Sequence, residues 1–354
     1  MRRTLRAPGR RTAATLTLAL ALTATATATA QQPARAEPGP RPGPRTLTEV
    51  RAELKRLYHD AEVATDKYNA ADEKVTKQEK RVRSLQVRIE TAEAKLTRLT
   101  RLAGAAARAQ YRGDSLPAEM QFALSANPEH ALDNASLARQ AQQATQGVLT
   151  ALTATREDLG TQTAKATGVL KSLRASRHAK DSERRSVEKH IDEAKELESR
   201  LEKKEVERLA ALEKKEADDA QAKWVDTGIL KKVGTDATPA GRKAIAFATR
   251  QLGKPYVWGA EGPDSFDCSG LTSQAWLAAG RVIPRTSEEQ WRRLKHVPLE
   301  DMRPGDLIIY FADASHVALY IGHGKIIQAP RPGRWVYVSP AASMEILGVV
   351  RPDA

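Results

Sequence analysis

The sequence predicts an α+β protein in two parts. A long antiparallel α-helical coiled-coil hairpin comes first. A C-terminal domain follows, in which helices pack on an antiparallel sheet. Three observations predict this. Apolar residues recur in alternating steps of three and four from Leu47 to Ala103. At Thr238 the character changes: Pro, Gly and aromatics return, and apolar runs shorten to strand length. Across the 354 residues, 29% are charged and only 5% aromatic, which suits a chain with an elongated, charge-rich helical part better than one compact globule.

Residues 1–36 have the three-part order of an export signal. Arg2, Arg3, Arg6, Arg10 and Arg11 form a basic end, and a run of Ala, Leu and Thr follows from Thr12 to Ala30. Ala34-Arg35-Ala36 offers a small-x-small cleavage site, with Ala28-Thr29-Ala30 as an alternative. The apolar run is short and threonine-rich for a permanent anchor. The competing reading is a basic tail without structure. The expectation is a secreted, extracellular protein associated with a cell wall. Residues 37–46 are too rich in Pro and Gly for helix or sheet and read as a linker. The net charge is +13, and six arginines of residues 1–36 supply part of it. The remaining surplus suits an anionic surface such as a bacterial wall polymer. It is too small and dispersed to argue for nucleic acid.

The stripe Leu47, Val50, Leu54, Leu57, Ala61, Ala64, Tyr68, Ala71 and Val75 continues through Val82, Leu85, Ile89, Ala92, Leu96, Leu99 and Ala103. With Lys, Arg, Glu and Asp elsewhere it is a heptad repeat, and predicts a helix roughly 80 Å long. Gly104, Gly113, Pro117 and Pro128 punctuate the next part, which predicts a folded tip over 104–134 where the chain reverses. A looser stripe, including Leu152, Leu159, Val187, Ile191, Ala194 and Leu201, predicts a second helical run from about Ala135 to Trp224. Heptads do not identify the partner helix, so an intermolecular coiled coil competes with the hairpin. Residues 225–237 read as a short linker.

In residues 238–354, Pro239 to Gln251 predicts a helix with Ala244, Ile245, Ala248 and Leu252 on its buried side. Leu271 to Ala279, closed by Gly280, predicts a second, with Asp267 as N-cap. Thr286 or Ser287 can cap a third. Strands follow at Leu307–Phe311, from His316 to Ile321, from Lys325 to Ala329, at Trp335–Val338 and at Ile346–Val350, with Gly322-His323-Gly324 as a hairpin turn.

Cys268 is the only cysteine, so an internal disulfide is excluded. In an exported chain a lone cysteine points to an intermolecular bridge or a working thiol. On the first turn of a helix, unpaired N–H groups favour the thiolate, the nucleophilic form. A small buried apolar residue is the bland alternative. His316, at the start of a central strand, could supply the base, or could be a structural histidine. Cysteine plus imidazole is the minimum set for covalent hydrolysis of an amide. The histidines are scattered and there is one thiol, so no metal site is legible, and no cofactor is implied.

These residues carry a family resemblance. Gly253-Lys254-Pro255-Tyr256-Val257-Trp258-Gly259, Phe266-Asp267-Cys268-Ser269-Gly270-Leu271, Pro284-Arg285-Thr286-Ser287, Pro304-Gly305-Asp306-Leu307 and His316-Val317-Ala318-Leu319-Tyr320-Ile321-Gly322 resemble, in order and spacing, the NlpC/P60 domain of secreted peptidoglycan endopeptidases. The resemblance implies a papain-like core and cleavage of the stem-peptide bond between D-glutamate and the following diamino acid. It implies Cys268 as nucleophile, His316 as base, and Tyr256 beside the thiol helping to hold the oxyanion. Asp267, Ser269 and Arg285 would face the substrate. The family's third polar residue falls at Gln328, where histidine is more usual. A glutamine carbonyl can still accept the imidazole N–H and orient the ring, but it cannot titrate.

The function expected is therefore a cysteine peptidase acting on peptidoglycan. The alternatives are an amidase or acyltransferase on the same scaffold, or a silent coiled-coil activator of other wall enzymes. The hairpin is expected to dock a cell-surface or membrane activator, to cover the cleft, or to act as a plain spacer.

Overall fold

The computed structural model describes residues 46–112 and 128–354. The expected signal and most of the Pro-rich linker lie outside the described residues, as does most of the expected tip. Thr46–Ala354 form one compact unit.

Three helices make the first part: α1 (Leu47–Tyr111), α2 (Pro128–Ser199) and α3 (Lys203–Asp226). Helix α1 does not break at Gly104, because a lone glycine costs a helix only about 1 kcal/mol relative to alanine. Helix α2 starts earlier than expected, with Pro128 in its first turn, where a missing N–H is no loss. The second run is also two helices rather than one. It is interrupted at Arg200–Glu202, and α3 starts anew where the Glu205 carboxylate accepts from the Glu202 N–H at 2.9 Å.

The predicted stripe is the buried one. Val50, Leu54, Leu57, Ala61, Ala64, Ala71, Val75, Leu85, Ala92 and Leu99 are all buried on α1. Near its start, α1 packs on Ala194 and Leu209, then on Val187 and Ile191. Each large aliphatic buried here contributes roughly 1.5–3 kcal/mol. The partner stripe is in the same chain, so α1 and α2 form an intramolecular hairpin.

The second part holds α4 (Pro239–Thr249), α5 (Cys268–Ala278) and α6 (Ser287–Arg293). Its strands are β1 (Lys295–Val297), β2 (Leu307–Tyr310), β3 (His316–Gly322), β4 (Lys325–Gln328), β5 (Tyr337–Pro340) and β6 (Ile346–Arg351). They form one antiparallel sheet in the order β1-β6-β2-β3-β4-β5. Strand β1, three residues long, was too short to show a periodicity. Strand β5 starts two residues later than expected. Alternation sorts the sheet into two faces. Leu307, Ile309, Val317, Leu319 and Ile327 pack against α4 and α5. Ile308, Tyr310, Ala318, Tyr320 and Ile326 pack against Val233, Met302 and Ala341. Leu252, expected in the core, is 39% exposed, because α4 has already ended.

The supposed linker after α3 is structured. Ile229–Lys231 form a 3-10 turn, and Trp224, Ile229, Leu230 and Val233 pack under the sheet. Gln221 of α3 donates to the Gly324 carbonyl at 3.1 Å and accepts from the Ala342 N–H at 2.9 Å. Helix α3 is thereby tied to the sheet, and it sets where the hairpin begins.

Candidate active site

Cys268 is the first residue of α5. Asp267 caps the helix by accepting from the Gly270 N–H at 2.6 Å, as the sequence predicts. The Cys268 N–H has no backbone acceptor among the described residues, so it is free to donate to a bound group. Gly270 has a physical cause: a Cβ there would lie 2.2 Å from the Ala260 carbonyl oxygen. Only glycine lets the strand-like entry at Ala260 and the start of α5 approach this closely.

His316 opens β3 and is fully buried. Its Nε2 donates to Gln328 Oε1 at 2.8 Å, which turns Nδ1 away from Gln328 and toward Glu62, 3.5 Å away. Gln328 in turn donates to Ser339 Oγ at 2.7 Å and to the Tyr337 hydroxyl at 3.4 Å. Gln328, expected to orient the ring, thus contacts the imidazole through its carbonyl oxygen. Ser339 was invisible to sequence reasoning, because a strand serine has no signature. Burial pushes the Cys268 thiol pKa above its ordinary value and the neighbouring His316 offsets this only in part, so the covered thiol keeps its proton, against the thiolate that a helix start alone favours. Burial pulls the His316 imidazole down, but the Glu62 carboxylate and its interaction with Cys268 outweigh this and hold it well above the ordinary value. Tyr256 is buried in the same cluster as Cys268. Burial and the neighbouring Cys268 raise its pKa well above the usual range, so its hydroxyl stays protonated and able to donate.

Asp267, Ser269 and Arg285 come together differently from the expectation. Arg285 donates to Asp267 at 2.7 and 3.0 Å, to Ser269 Oγ at 2.9 Å, and to Glu261. Burial works against the Arg285 charge, and Asp267 and Glu261 more than offset it, so its pKa is raised. These three residues lock the start of α5 from within rather than lining an open groove. The reason is the buried Asp267 carboxylate, which needs a paired cation.

Helix α1 lies over the thiol. Glu62 Oε1 is 3.5 Å from His316 Nδ1. Asp66 accepts from the Ser287 hydroxyl and from the Glu288 N–H at 3.2 Å. Asn69 donates to Asp267 Oδ2 at 3.0 Å. His59 Nε2 lies 3.1 Å from Asp313, and Tyr68 meets Trp258 edge to face at 5.0 Å. Gly259, at φ +77, leaves room for the Tyr68 ring, which a Cβ would approach to 3.2 Å. With α1 seated, Cys268 is only 4% exposed. Two open concavities among the described residues, at Trp224 and Trp291 and at Leu252 and Trp335, lie elsewhere. Glu62, Asp66 and Asn69 were missed at the sequence level. A polar face beside an apolar stripe is the pattern of ordinary solvated helix.

Residues 253–345 match the NlpC/P60 family, so the chain carries an NlpC/P60 domain there. A probable endopeptidase of Corynebacterium glutamicum strain R is 37% identical over 121 residues, 34% of this chain and 57% of that protein. A second probable endopeptidase from another strain of that species is 43% identical over 93 residues, 26% of this chain and 44% of the relative. The chain thus spans about half the length of these curated relatives. A solved NlpC/P60 family protein from Bacillus cereus is 36% identical, covering 33% of this chain and 41% of that one, with a TM-score of 0.31.

Proposed function

We propose that this chain is a secreted thiol endopeptidase that hydrolyses peptidoglycan stem peptides at the D-glutamyl–diamino acid bond, and that α1 holds it closed. The observation that carries the reading is a lone thiol on a helix start, coupled to an imidazole whose far nitrogen is fixed by Gln328.

His316 Nδ1 takes the Cys268 proton, and the thiolate attacks the scissile carbonyl. The oxyanion is met by the Cys268 N–H and the Tyr256 hydroxyl. The imidazolium then protonates the leaving amine, and a thioester remains on Sγ. Water, deprotonated by the same nitrogen, hydrolyses the thioester and restores the thiol. Gln328 holds the ring without sharing charge, since an amide does not titrate. As described, the site excludes substrate: Glu62 stands beside the catalytic nitrogen, and α1 covers the sulfur. Cleavage therefore follows departure of α1.

The test is digestion of purified peptidoglycan, with the cut bond identified by mass. Cys268→Ala should abolish cleavage. The double variant Glu62→Ala, Asn69→Ala should raise turnover by about tenfold, which is what losing roughly 1.4 kcal/mol of closure gives. Unchanged turnover in a folded double variant would remove the closure half of the proposal. Cleavage surviving Cys268→Ala would remove the catalytic half.

A further inference from the structure

Helix α1 changes character along its length. Its first half is laced with ion pairs: Arg56 with Glu53 and Asp60, Arg51 with Glu216, Asp72 with Lys180. From Lys80 onward the outer surface is different. Two columns at seven-residue spacing read Lys80, Val87, Ala94, Arg101, Arg108 and Arg81, Arg88, Lys95, Leu102, Ala109. They stand about 100° apart around the helix, with Ser84, Thr91, Arg98 and Ala105 between them. Neither column holds an acid. No acid stands three or four positions from any of the six basic residues, where a helix would place its partner. Among the described residues none of the six makes an ion pair, and all six are exposed. Val87 and Leu102, between them, are 62% and 49% exposed, and Tyr111 beyond Arg108 is 93% exposed. The buried seam with α2 runs through Leu85, Ala92 and Leu99. The Lys80 column lies opposite it, and the Arg81 column flanks it, three or four residues from the seam positions. The surface is therefore a straight basic strip roughly 40 Å long, studded with apolar side chains.

We propose that this strip docks flat on an anionic phospholipid membrane. The charge is complementary to acidic headgroups, and the unpaired cations approach them with no internal partner to lose. The interleaved Val87, Leu102 and Tyr111 distinguish this occupant from a soluble polyanion, which needs only charge. Aliphatic and tyrosine side chains at the level of the cations are suited to the boundary between headgroup and acyl chain. The proposal is independent of the reaction at Cys268.

The experiment is co-sedimentation of the full chain with vesicles of equal phosphatidylglycerol and phosphatidylcholine, against phosphatidylcholine alone. Residues 1–36 carry arginines of their own, so the deciding comparison is between chains that share them. One variant changes Lys80, Arg81, Arg88, Lys95, Arg101 and Arg108 to Gln, and a second carries Val87→Asn with Leu102→Asn. Helix content by circular dichroism confirms folding. If the sixfold variant loses helicity, the pair Arg88→Gln, Lys95→Gln replaces it. The unsubstituted chain should bind the acidic vesicles about tenfold more than the neutral ones. The charge variant should lose that preference, and the apolar variant should lose severalfold. Equal binding to both vesicles, or a charge variant that binds as before, would overturn the proposal. So would an apolar variant that binds as before while inorganic polyphosphate displaces it, which would mark a surface for soluble polyanions.

Discussion

Asp66 is a carboxylate in a buried contact between α1 and the start of α6. Burial raises its pKa to about 7, against the hydrogen bonds from Ser287 and Glu288 that lower it. A group whose pKa is higher in the closed form binds its proton more tightly there. Its contribution to closure is fully present below the ordinary carboxylate range and is lost as pH rises through about 7. His316, also raised in the closed form, acts in the same direction. Amide exchange over residues 58–69, corrected for intrinsic rates, should therefore show α1 loosening from pH 6 to about 8, and Asp66→Asn should flatten that slope. A wild-type profile flat over the same interval would contradict the assignment. At the same scale, Gln328 positions the ring but does not react. Gln328→Ala should lower turnover about 10- to 100-fold, far less than Cys268→Ala, with the pH profile of turnover displaced because the ring's tautomer is no longer fixed.

At the level of elements, α5 and α1 depend on close approach. Gly270→Ala forces a Cβ to 2.2 Å from a backbone oxygen that cannot move aside. It should cost roughly 3 kcal/mol or more, read as a lower midpoint in urea, because no flexible side chain is available to yield. Gly259→Ala is different in kind. Its cost is a left-handed φ plus pressure on the Tyr68 ring. The strain is greatest when α1 is seated, so this variant should digest peptidoglycan faster than the unsubstituted chain, while its unfolding midpoint falls only slightly. The heptad stripe of α1 was legible because burial of a seam imposes a period. The cleft-facing residues Glu62, Asp66 and Asn69 share a helical face too, but a polar face carries no sign of whether water or protein lies against it.

On the scale of the whole molecule, the hairpin is held to the second part by two kinds of contact. Helix α3 is tied to the sheet through Gln221, Trp224 and the turn that follows. Arg331 and Arg334 add pairs to Glu213 of α3. The α1–α2 pair is held by the cleft contacts and by Arg331, which stacks on Tyr58 at 4.0 Å and pairs with Glu198. The charged contacts are partly exposed and therefore screened. Arg331→Ala should raise turnover severalfold, and its advantage should shrink toward about 1 M salt, where the unsubstituted chain has lost the same attraction. The break at Arg200–Glu202 separates α2 from α3, and movement of α1 and α2 against a fixed α3 must part Arg51 from Glu216 and the start of the α1 stripe from Leu209. The sequence by itself determined the long helix and its seam, the order of helices before strands, and the capped start of α5 at Cys268. These are local periods, caps and short motifs, which neighbouring residues impose on one another. Only the tertiary structure decided that the hairpin closes on its own chain, that Asp267, Ser269 and Arg285 face inward, and that Glu62 meets the imidazole. Those contacts join residues up to two hundred and more positions apart, and an exposed polar face and a buried one are spelled with the same letters until the chain folds back to cover one of them.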